Sequence, residues 1–398
     1  MNNTTPVLTM NLEERILRRQ QTDHEPRLVR DTDALNPIAH PTEPTGRGLA
    51  IEQLLDVLDP AFDGRPTTDC YVWGPKGTGK SAVIRSLFSR LDRLIGRSTG
   101  RIYTTTRAEP TADVAFVYVD CRQAKSGFAL VHTVLNSLTS DPVPKQGVGA
   151  DAIRERLADR LAVGGQSIVV AVDHVGEPET LAAETVCEQF EAFDASVSVV
   201  LVGHDEPNAV ATHLEDLETV RFDPYRRHTL IEILTTRQAD GLTRAAVTHE
   251  QLREIATWAD GDSHDALAAL FSAGLIGDEK GHEQIGPDDL AAGMNAVPKP
   301  SVSLGRVLAL PESRQQVLCR LVDLPDAARN SVSTAADGIA DDSLELSRST
   351  IERVLYELAE AGVIRRLKVE DPEQIGRPPS RLEPRFPTLV FRHLSSRT

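Results

Sequence analysis

Apolar residues in the first half of the chain fall into short, nearly unbroken runs. These are Asp69-Cys70-Tyr71-Val72-Trp73, Val114-Ala115-Phe116-Val117-Tyr118-Val119, Ser167-Ile168-Val169-Val170-Ala171-Val172-Asp173, Val197-Ser198-Val199-Val200-Leu201-Val202 and Glu218 to Phe222. Between them apolar positions recur at helical spacing, as in Val83, Ile84, Leu87, Phe88 and Leu91, and again near 127–139, 150–162 and Ala182 to Phe193. Strands without polar alternation, separated by helices, predict a parallel sheet covered on both faces. An earlier helical stretch (Leu49, Leu54, Leu55, Val57, Leu58) stops at Pro60 and leads into the first strand.

From Arg226 to Val297 the strand runs cease, and helical spacing near 228–239, 248–258, 263–276 and 287–296 predicts a small helical lid. Pro298, Pro300 and neighbouring serines make a linker, after which Val302 to Val322 and Leu346 to Ala361 read as helices joined by a Ser- and Asp-rich connection. Residues 1–40 are polar, with a short amphipathic piece (Leu12, Ile16, Leu17), and read as an arm. The chain thus divides into an arm (1–40), a core (41–225), a lid (226–297) and a C-terminal domain (298–398).

The first strand runs directly into Gly74-Pro75-Lys76-Gly77-Thr78-Gly79-Lys80-Ser81, the G-x-x-x-x-G-K-[ST] pattern of a phosphate-binding loop. Its glycines let the backbone turn with its N–H groups inward, and the helix that begins near Lys80 adds its positive dipole end. Lys80 then reaches the β- and γ-phosphates, and the Ser81 hydroxyl meets a Mg²⁺ ion that bridges them. The cofactors this motif implies are ATP or ADP with Mg²⁺.

Composition narrows the setting. A chain of 398 residues suits two or three domains, and its 40% hydrophobic content is that of a globular protein. No apolar run reaches the length of a membrane span, and Met1 to Met10 lacks the basic start and apolar core of a signal peptide, which predicts a cytoplasmic protein without a membrane partner. Cys70, Cys121, Cys187 and Cys319 are too scattered for a zinc or disulfide framework. The formal charge of -16 argues against nucleic acid until its distribution is considered: residues 1–300 hold 29 basic and 45 acidic groups, whereas residues 301–398 hold 14 of each. With only seven lysines among the 43 basic residues, the acidic excess resembles the solvated surface of salt-adapted proteins, and a halophilic source is expected.

Within the charge-balanced tail, Ser347 caps a helical stripe closed by Gly362, and its polar first turn presents Arg348, Ser349, Thr350 and Arg353. A second basic group, Arg365, Arg366, Lys368, Arg377, Arg381 and Arg385, follows where a two-stranded wing would lie, with Glu370, Asp371 and Glu373 interspersed. An exposed helix turn followed by a basic hairpin predicts a double-stranded DNA partner.

Taken in order, these elements resemble the archaeal origin-recognition and cell-division-control initiators, a family that joins an AAA+ ATPase to a winged helix. The resemblance covers most of the chain from about Val29. It rests on the phosphate loop together with Gly46-Arg47, Leu58-Asp59-Pro60-Ala61-Phe62-Asp63-Gly64, Val117-Tyr118-Val119-Asp120-Cys121, Arg221-Phe222-Asp223-Pro224-Tyr225, Ala259-Asp260-Gly261-Asp262 and Ala266-Leu267. It implies an α/β fold: an AAA+ P-loop core with a parallel sheet, a helical lid, and a C-terminal winged helix-turn-helix. It implies DNA replication initiation as the activity, with other replication proteins or self-association on DNA as further partners.

Carried onto this sequence, the resemblance places Tyr225 and His264 at the nucleotide, Ser81 and Asp173 at the metal, and Asp173, His174 and His204 in the catalytic set. Three positions depart from the family. Asp173-His174 stands where the family has an Asp-Glu pair, His204 where it has a sensor Asn, and His264 where it has a sensor Arg. Glu177, the nearest alternative carboxylate, reads as a solvated loop acid. An intact binding loop beside an altered catalytic set implies weak hydrolysis, or nucleotide held as a switching ligand. The alternatives are a non-hydrolysing DNA-binding regulator of transcription or plasmid control, and a signalling or defence NTPase.

Overall fold

The computed structural model describes residues 28–63, 65, 67–95, 114–162, 167–193, 196–210, 217–340, 344, 346–368 and 380–395. The arm before residue 28 lies outside them.

The five apolar runs form β1 (Cys70–Trp73), β2 (Val114–Asp120), β3 (Ser167–Asp173), β4 (Val197–Val202) and β5 (Glu218–Arg221). They pair in the order β2-β3-β4-β1-β5, and every pairing is parallel. Because side chains alternate across a strand, β3 supplies Val169 and Ala171 to one apolar layer and Ile168, Val170 and Val172 to the other. The first layer is covered by α1 (Gly48–Phe62) and α2 (Lys80–Ile95) through Leu54, Leu58, Val83, Ile84 and Phe88. The second is covered by α3 (Gly127–Leu138), α4 (Ala150–Ala162) and α5 (Ala183–Phe190) through Leu130, Val134, Ile153, Leu157 and Val186. Each such fully buried side chain contributes about 1.5–3 kcal/mol. Leu49, part of the predicted stripe of α1, faces solvent. The helix continues past Pro60 to Phe62.

The stretch expected as a lid comprises α6 (Arg227–Gly241), α7 (His249–Ala259), α8 (Ser263–Glu279) and α9 (Pro287–Asn295). Nearly every residue of α8 from His264 to Gly274 is buried, which makes it the central helix of this layer. Residues 28–35, expected as arm, belong to the same packing: the N–H groups of Arg30 and Asp31 donate to Gly241 O, Thr243 N–H donates to Leu28 O, and Leu35 is fully buried.

The C-terminal part holds α10 (Leu304–Leu308), α11 (Glu312–Asp323), α12 (Val332–Ile339), α13 (Arg348–Glu360), a hairpin of β6 (Ile364–Lys368) and β7 (Ser380–Pro384), and α14 (Thr388–Ser395). Two features differ from the sequence expectation. The helix expected over Val302 to Val322 is broken before Glu312, because Pro311 occupies its N-cap in non-helical backbone. The Ser- and Asp-rich connection contains α12, capped by Ser331 and burying Val332, Ala335, Ala336 and Ile339 at helical spacing. One apolar cluster runs without interruption from Leu28 through the lid to Phe391.

Candidate functional site

Parallel strands deliver their C-terminal ends to one edge of the sheet, where open α/β sheets bind ligands. Here that edge carries the 74–81 loop after β1, Asp173 at the end of β3 with His174 next to it, and His204 after β4.

The loop itself is tightly enclosed. Gly77 (φ 72°) and Gly79 (φ 81°) adopt left-handed backbone, and a Cβ would lie 1.9 Å from Asp262 Oδ1 at the first and 2.2 Å from Tyr225 Oη at the second. Only glycine permits the lid to approach so closely. Ser263 seals the contact, donating its N–H (3.0 Å) and its hydroxyl (2.8 Å) to Gly77 O. The Lys80 ammonium turns back on the loop, donating to Gly74 O (2.6 Å) and Pro75 O (2.8 Å). Lys80 is 6% exposed, and burial pulls its pKa down to about 8. Thr78 is fixed by donating to Pro75 O. Arg47 stacks its guanidinium 3.7 Å above the Tyr225 ring and donates to Asp223 O, which secures Tyr225 over the loop.

Asp173 is 1% exposed and accepts from the Tyr118 hydroxyl (2.8 Å) and from the His174 N–H (2.8 Å). Burial alone would raise its carboxyl, but His174 and hydrogen bonds from Ser81 and Tyr118 hold it below the usual range. His174 sits at φ 64°. Its Nδ1 lies 2.9 Å from Asp120 Oδ1, and its Nε2 lies 3.4 Å from Ser81 Oγ and 3.8 Å from Asp173 Oδ2. Burial opposes protonation of His174, yet the Asp173 charge and the Asp120 hydrogen bond outweigh it and raise the pKa.

Glu177 is not a solvated loop acid. Arg122 grips it with two bonds of 2.7 Å, and His204 Nε2 lies 3.2 Å from its Oε1. These partners overcome burial and hold Glu177 well below the normal carboxylate range, while burial lowers the His204 pKa. The same loop reaches the C-terminal part, where Arg314 bridges Glu179 (2.7 Å) and Glu357 of α13 (2.8 Å).

Two residues expected at the phosphates point their side chains elsewhere. The Lys76 ammonium is bound to Asp262 (2.6 Å), Asp265 (2.6 Å) and Ser301 (2.9 Å). His264 is buried, with Nδ1 3.0 Å from Asp265 of its own helix and Nε2 accepting from the Leu304 N–H (2.9 Å), so both ring nitrogens are engaged and the second joins this helix to the C-terminal part. Burial, then the Lys76 charge, lowers its pKa. Asp262, His264 and Asp265 converge closely enough for a metal, but the Lys76 ammonium already lies against both carboxylates.

In the C-terminal part, Arg348 is engaged by Asp337, Ser333 and Glu352. Ser349 and Thr350 bond to the cap Ser347. The Arg353 side chain is 70% exposed, with Glu357 at 3.9 Å. On the hairpin, Arg365 pairs with Glu383, Arg381 with Asp326, and Arg366 stacks 4.9 Å above Tyr356. Arg385 continues the backbone pairing, its N–H donating to Val363 O. Lys368 ends β6, and Arg377 lies outside the described residues.

Sequence reasoning passed over Asp120, Arg122 and Asp265 as site residues. For Asp120 a signal existed: it ends β2 as Asp173 ends β3, and the two residues face each other in the parallel register.

A model of the AAA ATPase domain family matches residues 43–276. ORC1-type DNA replication protein 9 of Halobacterium salinarum is 26% identical over 272 residues, 66% of this chain and 70% of that one. ORC1-type DNA replication protein 10 of the same organism is 24% identical over 335 residues, 80% and 77% of the two chains. Among solved structures, the ORC1 protein of Aeropyrum pernix, determined in complex with DNA, matches with a TM-score of 0.61 at 20% identity over 94% of this chain and 98% of that one.

Proposed function

The chain belongs to the AAA ATPase family, and from that premise we propose that it binds ATP or ADP at the 74–81 loop and engages duplex DNA through its C-terminal part, as a divergent relative of the ORC1-type replication proteins. The observation that carries the nucleotide reading is the enclosed loop with Lys80 and Ser81 at the start of α2. Ser81 Oγ and the Asp173 carboxylate are hard oxygen donors on adjoining elements and fit a divalent cation. Such an ion neutralises phosphate oxygens when bound. The chain's own groups do the rest: Lys80 leaves its loop carbonyls for the phosphates, Tyr225 and Arg47 bound the site, and Asp262 and Ser263 hold the lid against it.

Hydrolysis is slow on this reading. His174 stands in place of the carboxylate that orients water, and Glu177 is immobilised by Arg122 and His204. His174→Glu is therefore expected to raise steady-state turnover severalfold at saturating ATP. Equal rates in the two proteins would remove His174 from the catalytic account. The locked Glu177 also favours a second reading, a regulator in which bound nucleotide only switches conformation.

For DNA, we read α11 to α13 with the β6–β7 hairpin as a winged helix-turn-helix, α13 being the recognition helix. Arg353 projects from its exposed ridge, so Arg353→Ala is expected to lose about 1–3 kcal/mol of discrimination at one base position. Replacing Arg365 and Arg381 should instead weaken all sequences alike and flatten the salt dependence by about one unit of slope per phosphate contact. Footprinting the full chain and these variants at low and high salt checks both. Unchanged footprints would turn the surface into a protein contact.

A further inference from the structure

The nucleotide reading above leaves open which ion accompanies the phosphates, and the answer lies in the ring nitrogen that His174 brings beside Ser81 and Asp173. We propose that the divalent cation of this site takes His174 Nε2 as a direct ligand, alongside Ser81 Oγ and Asp173, with Asp120 as the positioning residue behind the ring. The site then selects a first-row transition ion of mixed nitrogen and oxygen preference over Mg²⁺. This rests on the 74–81 loop holding nucleotide.

Three observations support it. The donor atoms converge: Nε2 lies 3.4 Å from Ser81 Oγ and 3.8 Å from Asp173 Oδ2. Ligands at bond lengths of about 2.0–2.2 Å stand about 3.0–3.5 Å apart around one ion, so a small contraction brings all three into one sphere. Next, the ring is already oriented. Nδ1 lies 2.9 Å from Asp120 Oδ1, and a proton on that nitrogen leaves the Nε2 lone pair directed at the serine and the aspartate. A carboxylate behind the remote nitrogen of an imidazole is the usual support of a histidine ligand. Finally, His174 is held at φ 64°, a conformation uncommon for a side-chain-bearing residue, with its carbonyl anchored by the Thr180 hydroxyl (2.8 Å). Local strain maintained by a neighbouring bond marks a ring placed for use.

The chemistry of the donors sets the selectivity. Mg²⁺ is hard, demands near-ideal octahedral oxygen geometry and keeps its waters, whereas imidazole suits the later transition ions. An imidazole nitrogen beside Ser81 and Asp173 therefore favours ions such as Co²⁺ over Mg²⁺.

Mn²⁺ with ATP serves as the spectroscopic probe, using the full chain. Pulsed electron paramagnetic resonance of the bound Mn²⁺ should show phosphorus coupling from the nucleotide together with the nitrogen modulation of a directly bonded imidazole. The nitrogen signal should vanish in His174→Glu and weaken in Asp120→Asn. In competition titrations the Co²⁺-to-Mg²⁺ affinity ratio should fall at least about tenfold in His174→Glu, the scale on which support residues and ligands act. Phosphorus coupling without nitrogen modulation in the native protein would overturn the nitrogen ligand and leave the nucleotide reading intact. No Mn²⁺–ATP binding that depends on Lys80 would overturn both.

Discussion

Lys80→Ala is expected to abolish measurable nucleotide binding in a calorimetric titration with ATP and a divalent ion. The ammonium is buried, with two loop carbonyls as its partners, and its pKa is depressed to about 8 by desolvation. A charge already stripped of water interacts strongly with incoming phosphate, because solvation has little left to offer in competition. Truncating one member of a buried, hydrogen-bonded charge pair costs about 2–5 kcal/mol, which is a loss of about 30-fold to several-thousand-fold in affinity. Phosphate binds the charged form of Lys80, so binding takes up a proton once the ligand-free lysine deprotonates, and native affinity should fall as pH rises through about 8. Affinity unchanged by the substitution would place the nucleotide elsewhere.

The second large effect is expected at Lys76, through stability. Its ammonium lies 2.6 Å from both Asp262 and Asp265, and all three side chains are at most 20% exposed. Lys76→Met leaves two carboxylates facing each other without a cation, and breaking a buried pair in this way costs about 3–5 kcal/mol. Denaturant unfolding followed by circular dichroism measures it. The pH dependence is signed. Burial would raise the Asp265 carboxyl, but its bond to His264 and the Lys76 charge hold it below its ordinary 3.8. Stability from a depressed carboxylate is present above that ordinary value and is lost as pH falls through the depressed one. Without Lys76 the depression shrinks, so the variant's deficit should be greatest near neutrality and narrow in acid. A deficit below about 1 kcal/mol at pH 7, the range of exposed ion pairs, would mean that the contact is solvent-screened.

These residues also mark what could be read from sequence. The five strands and the phosphate loop were legible because their signals are local: unbroken β-branched runs between amphipathic helices, and glycines at fixed offsets. The direction of the Lys76 side chain was not, since its partner Ser301 is 225 residues away in the chain and reaches it only through the folded lid. Glu177 looked like a surface acid for the same reason; the Arg122 that buries it lies on another loop, 55 residues earlier. Helix α12 escaped because it is only 8 residues long, so its apolar face of Val332, Ala335, Ala336 and Ile339 is too short to repeat. Asp120 was the recoverable omission, because parallel pairing of β2 with β3 puts it beside Asp173.

The unbroken apolar cluster from Leu28 to Phe391 bears on how the molecule articulates. Pro298 to Ser301 reads as a tether between two bodies, yet Phe271 of the lid meets His393 of α14 with ring centroids 5.5 Å apart, and Leu304 is bonded to His264. Sliding the two parts past each other would open a packed interior, so Pro298 to Ser301 does not act as a free tether. Arg314 fastens the C-terminal part to the sheet core as well, through Glu179, so the helix that carries Arg353 is braced from two sides.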